Sequence, residues 1–201
     1  EAAFIGTESF VSLVNIRDIQ VLIAGMAFNP GLYTLNGNSN ALHALSMAGG
    51  ISEDGSYRNI DIIRDDKVIA NIDLYDLFIY GKSTFGPRLR SGDSVFIRPA
   101  SMLVNITTGV KRPAEYELQP SETFGDLIDF ANGLSDYADT SYLAVERVEG
   151  KKINLIKYLG IEDLSMSKAI SGDTLFIREF SHRSVSISGA VEVPGKYLIT
   201  E

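Results

Sequence analysis

The sequence predicts an α+β protein built as tandem copies of one small unit, and three recurring signals predict it. The first is a Gly-x-x-x-x-Pro-Gly-x-Tyr stretch: Gly25 with Pro30, Gly31 and Tyr33 returns as Gly189 with Pro194, Gly195 and Tyr197. Gly109, Pro113 and Tyr116 form a third copy between them, so the three prolines stand 83 and 81 residues apart. The second is a short amphipathic helix that stops at glycine. The third is a Ser-Gly-Asp turn leading into an apolar strand, with Gly92 and Asp93 matched by Gly172 and Asp173 at an offset of 80 residues.

Within the unit, the opening segment reads as two strands around the Pro-Gly turn, and in the last copy Val185, Ile187 and, past Gly189, Val191 and Tyr197 alternate as a half-buried strand pair does. The helix follows. Leu42, Leu45 and Ala48 precede Gly49-Gly50, and Phe124, Leu127, Ile128 and Ala131 precede Asn132-Gly133. Spacing of three and four with glycine just past the end predicts a helix with a left-handed cap. Thr123 with Asp126 three residues on fits a capping box. Hairpins come next, 60–69 around Asp65-Asp66 and 143–153 around Glu149-Gly150. A short helical turn is then expected on Leu74, Leu77 and Phe78, and on Leu155, Ile156 and Leu159, before the closing strand. Gly92 and Gly172 are expected to supply a positive φ there, and Asp93 and Asp173 to accept bonds from nearby backbone N–H groups.

That order sets one main helix across a small mixed sheet, a β-grasp-like unit. The boundaries follow from the repeat: 1–18 is a lead-in strand or linker, 19–100 the first module, 101–180 the second, and 181–201 the start of a third, truncated module. The last segment, 185–201, is expected to pack against the edge of a neighbouring module or another copy of the chain, because an isolated hairpin is marginal in water.

A formal net charge of −8 opposes the basic surface that nucleic-acid binding requires, so no nucleic-acid partner is expected. With no cysteine and only two histidines, His43 and His182, far apart, no metal site and no cofactor are expected. No apolar run is long enough to span a bilayer as a helix.

The ordered series from Gly25 and Pro30-Gly31-x-Tyr33, through the helix and Gly49-Gly50, to Tyr57-Arg58, Asp73 and Ser91-Gly92-Asp93, resembles the soluble-ligand-binding β-grasp (SLBB) domain of outer-membrane polysaccharide-export proteins. The likeness covers residues 19–100 in full, 101–180 in a weaker copy, and the first strands of another copy to Glu201. It implies tandem SLBB modules in the periplasm, attached to the outer membrane through parts outside this sequence. It further implies homo-oligomeric rings, passage of capsular polysaccharide or exopolysaccharide, and an inner-membrane export machinery as partner. The chain is accordingly expected to be a piece of a longer protein with several such domains. Ala114 replaces Gly31 and Gly195, and Asn132-Gly133 replaces Gly49-Gly50, which leaves the geometry of those turns open.

No catalytic residue is singled out. Glu53-Asp54 and Asp65-Asp66 fall at turns, where acids serve the backbone. His43 flanks a helix stripe with no Gly-x-Ser-x-Gly elbow to serve, and His182 lies in a connector. Gly49-Gly50 ends a helix, whereas a phosphate loop opens one. Tyr33, Tyr116 and Tyr197 recur with the repeat and are assigned to packing. Tyr57, Arg58 and Tyr137, near loops after the helix caps, are the candidates for ligand or subunit contact. The sequence therefore points to a non-enzymatic transport scaffold, with a module that captures a small ligand or glycan as the alternative and a carbohydrate-active enzyme as the foil. A pocket of aromatic and polar groups favours the binder, and flat apolar patches favour the scaffold.

Overall fold

The computed structural model describes residues 17–83, 85–181 and 184–198, so most of the 1–18 lead-in, and His182, lie outside the described residues. The chain divides into two units, Glu1–Pro99 and Ala100–Glu201.

The first unit runs β1 (Asp18–Gly25), β2 (Gly31–Asn36), α1 (Ala41–Met47), β3 (Gly55–Arg64), β4 (Lys67–Ile72), α2 (Tyr75–Phe78) and β5 (Ser94–Pro99). Its sheet has the order β2-β1-β5-β3-β4. β1 pairs with β5 in parallel, from Leu22↔Ser94 to Gly25↔Ile97, and the remaining pairs are antiparallel. Alternation puts one face of each central strand inward. Val21, Ile23, Ile60, Ile62, Val95 and Ile97 are fully buried and share one core with Ala41, Ala44 and Leu45 of α1 and with Ala48 at its C-cap. Each such Ile or Val contributes about 1.5–3 kcal/mol of hydrophobic burial. Small alanines on the buried side of α1 suit a close approach of the helix to the sheet.

In the second unit the elements are β6 (Leu103–Thr108), β7 (Ala114–Glu117), α3 (Phe124–Phe130), β8 (Ala138–Glu149), β9 (Lys152–Tyr158), α4 (Ile161–Met166) and β10 (Thr174–Glu179). The sheet order is β7-β6-β10-β8-β9, the same arrangement, with β6 and β10 parallel. Val104, Ile106, Phe124, Leu127, Leu143, Val145, Leu175 and Ile177 form its buried layer. The α+β tandem organisation expected from the repeat is thus present in both units.

One element differs from expectation. Leu155 and Ile156 belong to β9, paired with Glu146 and Val145, and the short helix begins later, at Ile161, with Leu164 buried. A short apolar run satisfies strand and helix spacing alike. The choice falls to the long β8–β9 ladder, which runs from Leu143↔Tyr158 to Glu149↔Lys152 and turns at Gly150-Lys151.

Both substituted turns keep the geometry of their counterparts. Gly49 and Gly50 have φ of +80° and +99°, and Asn132 and Gly133 have +64° and +84°. The N–H of Gly50 donates to Leu45 O and that of Gly133 to Ile128 O, each at 2.9 Å. Asparagine tolerates the left-handed region, so one Schellman motif serves both helices. Ala114 is accommodated because Gly31, its counterpart at the start of β2, does not have a positive φ. Tyr33, Tyr116 and Tyr197 close the Pro-Gly loop in the same way, each hydroxyl donating to the carbonyl four residues earlier, at 2.8, 2.8 and 2.7 Å.

After the second sheet, β11 (Ser184–Ile187) and β12 (Gly195–Leu198) form a two-stranded sheet of their own. Val185 and Ile187 are 47% and 42% exposed, whereas their counterparts Val21, Ile23, Val104 and Ile106 are fully buried. Among the described residues β11 pairs only with β12, and the docking onto a module edge expected from the sequence is not seen within the chain.

Gly25 and Gly109 end the first strand of each module at φ of +78° and +77°, where a Cβ would overlap the Ile97 carbonyl oxygen or the Ile177 side chain. Gly25→Ala or Gly109→Ala is expected to cost about 2 kcal/mol or more, lowering the thermal midpoint by roughly 10 °C. Gly31→Ala should stay within about 0.5 kcal/mol of the parent, since alanine already occupies that position in the second module. Calorimetry of the three variants checks the contrast.

Candidate functional site

The turn before each closing strand carries a buried carboxylate. Asp93 and Asp173 are each 1% exposed and accept from the backbone N–H of Arg90 and Ile170 at 2.7 and 2.8 Å, as expected of the Ser-Gly-Asp turn. Each also receives a two-pronged guanidinium: Arg64 donates to both oxygens of Asp93 at 2.7 Å, and Arg147 to those of Asp173 at 2.8 and 2.7 Å. Sequence reasoning missed these arginines. Their signal was available, because both stand at the same place in the repeat, Arg64 as the last residue of β3 and Arg147 two residues before the end of β8.

A second arginine, at the end of each closing strand, is also paired. Arg98 bonds Asp61 at 2.8 Å and Arg178 bonds Asp139 at 2.8 Å. Asp61 and Asp139 do not occupy matching positions, so this pair is kept in effect and rebuilt in detail. The carboxyl of Asp139 is held below the usual range by the Ser141 hydroxyl first, against burial, and then by the Ser141 N–H and Arg178.

The outward face of the first sheet carries an apolar row. Leu22 and Leu32 are 45% and 65% exposed and face one another across β1 and β2, and Ile63 and Val68 continue the row beyond Ser94. The matching row of the second sheet reads Glu115, Asn105, Thr174, Glu146 and Leu155. Identical topology thus carries a different row in each module, although Val148, Ile153, Leu155 and Phe176 keep apolar groups exposed on the second sheet as well.

The sequence candidates separate. Arg58 is 5% exposed and lies beneath the surface, bonding Asp73 at 3.0 Å with its guanidinium 4.6 Å over the Tyr75 ring. Tyr57, 41% exposed, sits beside Phe78, their ring centroids 6.4 Å apart. Tyr137, 40% exposed, belongs to the second unit, where its carbonyl accepts from Phe180 N–H. His43 caps its own helix: its Nδ1 accepts from Asn40 N–H and its N–H donates to Asn40 Oδ1, a capping box. Asp65 and Asp66, at φ of +50° and +60°, form the β3–β4 turn. A cleft of about 340 Å³ lies between β2 and α1, lined by Thr34, Asn36, Ser39, His43 and Met47. Another, of about 480 Å³, lies where β8 meets α4, lined by Thr140, Ser141, Gly160, Glu162 and Asp163.

Burial pushes the Asp93 carboxyl up, but the bonds from Arg64 and from the Arg90 N–H outweigh it and hold the group below its ordinary range. A carboxyl lowered by folding stabilises the fold above its unfolded value of about 3.9, and that contribution is lost as pH falls through the folded value. The thermal midpoint is therefore expected to fall as pH drops below about 4. Asp93→Asn should lower the midpoint at pH 7 and flatten this slope. Asp173→Ala, which strips Arg147 of its acceptor, should cost about 3 kcal/mol in denaturant titrations.

The geometry contains a twice-repeated module, and known proteins contain it too. The family model for the SLBB domain matches residues 20–71 and 103–155, which together make up more than half of the chain. Two curated proteins, both described as polysialic acid transport protein KpsD of Escherichia coli, are 29% identical over 113 residues, 56% of this chain. The aligned part is 20% of the length of those relatives. With two matched copies, each on a complete five-stranded sheet, the chain belongs to the SLBB domain family.

Proposed function

We propose that this chain is a periplasmic part of a polysaccharide-export protein, attached to the outer membrane through other parts of the polypeptide. In this reading its modules are a scaffold for passage of capsular polysaccharide or exopolysaccharide. The observation that carries the reading is the pairing of two SLBB copies with similarity to a protein described as a polysialic acid transporter. The apolar row of Leu32, Leu22, Ile63 and Val68 supports it, because an exposed apolar strip suits contact between subunits of a homo-oligomer. The inner-membrane export machinery is the proposed partner, and the role is non-enzymatic. The paired and buried carboxylates serve turns and ion pairs: Asp65 and Asp66 shape a hairpin, and Asp93 and Asp173 hold guanidinium groups.

A second reading, capture of a small ligand or glycan by a single module, is favoured by the two clefts of about 340 and 480 Å³, in each of which polar side chains stand beside apolar ones.

Removing residues 101–180 from the full-length protein is expected to leave polysaccharide synthesised but retained inside the outer membrane, as seen by cell fractionation. The purified chain should release no new reducing ends from polysaccharide. Undiminished export by the deletion protein, or depolymerisation abolished by one carboxylate substitution, would overturn the proposal.

A further inference from the structure

In the first module the start of β3 meets the short helix α2, and this junction gathers aromatic rings at the surface. Tyr57, Phe78 and Tyr80 are 41%, 57% and 55% exposed. The rings of Tyr57 and Phe78 are inclined at 60°, which makes a shallow wedge. Tyr80 follows at the end of the helix, with the Lys82 ammonium 5.1 Å from its ring centroid. Lys82 in turn bonds the Asp76 carboxylate at 2.8 Å.

A helix of four residues has no stability of its own, so its position comes from what lies beneath. Leu74 is buried and its N–H donates to Tyr57 O at 2.8 Å. The Asp73 carboxylate accepts from Tyr75 N–H at 2.9 Å and from Arg58, which spreads under the Tyr75 ring. The strand and helix that carry the rings are thus joined by a part-buried ion pair, and little ordering remains to be done when a ligand arrives.

The second module shows that the fold does not need these rings. Register across the closing strands places Thr140 where the first module has Tyr57. There the junction of strand and short helix is the open cleft of about 480 Å³, lined by Thr140, Ser141, Glu162 and Asp163 together with Leu159 and Ile161 and by no aromatic ring. The same topology forms with or without an aromatic surface at this place, so the rings of the first module serve something other than packing.

We propose that Tyr57, Phe78 and Tyr80 form a carbohydrate-binding platform that takes a pyranose ring of the transported chain. The inference rests on the export reading and deepens it. A pyranose offers a C–H face that suits an aromatic wedge and hydroxyls that suit the carboxylate of Asp76 and the ammonium of Lys82 at its rim. A protein partner would favour an interface core depleted of charge, whereas here ion-paired groups stand beside the rings.

The chain has no tryptophan, so Tyr57→Trp places a single fluorescent reporter in the platform. Titration of this variant with a polysialic acid oligosaccharide and with a neutral glucose oligosaccharide should give a saturable emission change with at least one of them. Adding Phe78→Ala should weaken that binding by about tenfold or more, while Met166→Ala, at an exposed methionine of the other module, should leave it unchanged. Circular dichroism confirms that the variants fold. No saturable response to either glycan, or a response indifferent to Phe78→Ala, would overturn the platform. So would loss of self-association in Tyr57→Ala and Phe78→Ala by sedimentation velocity without any glycan response, which would make the surface a contact between chains. None of these results touches the export reading, which stands or falls on polysaccharide retention by the deletion protein.

Discussion

The parallel pairing of the first and last strands of each module is the constraint on which the rest of the structure depends, and one aspartate secures it twice over. The backbone carbonyl of Asp93 accepts from Leu22 N–H at 3.0 Å, which ties the closing turn to β1. Its side chain bonds Arg64, which ties the same turn to the end of β3. Asp173 repeats both links with Asn105 and Arg147. Contacts between residues some 70 positions apart carry a large closure entropy, and a buried two-pronged ion pair at the point of closure fixes the register once it is reached.

From that closure the remaining features follow. With β5 held between β1 and β3, the inward faces of three strands present an unbroken Ile and Val layer for the helix to cover. The glycine at the end of the first strand must then pass close to the closing strand, which is why Gly25 and Gly109 admit no side chain. The hairpin β11–β12 illustrates the reverse case. It carries the same opening signals and the same tyrosine bond, yet among the described residues no closing strand or helix lies over Val185 and Ile187, and they stay open to solvent.

Two copies of one fold also separate what the architecture needs from what it carries. The core, the caps and the closing ion pair recur. Along the outward row Leu22, Leu32 and Ile63 give way to Asn105, Glu115 and Glu146, and the junction with the short helix changes from aromatic rings to an open cleft of mixed polar and apolar lining. Surfaces that vary over a constant frame are where recognition is free to differ between modules, and both lie on positions that packing leaves exposed.

Much of this was legible in the residues themselves. The repeat, the helix stops, the hairpins and the positive φ at Gly92 and Gly172 depend on neighbours within a few positions, and local chemistry reports them without a fold. Asn132-Gly133 shows the same rule, since a short polar side chain can take the left-handed conformation wherever a glycine could. The tertiary structure decided what depends on distant strands. It chose strand over helix for Leu155 and Ile156, because only the β8–β9 ladder distinguishes two spacings that a short apolar run satisfies equally. It buried Arg58 and exposed Tyr57, one residue away, because adjacent side chains on a strand point to opposite faces. And it brought Phe78 to Tyr57 and Arg64 to Asp93, partners set by sheet register and helix docking, which no local pattern encodes.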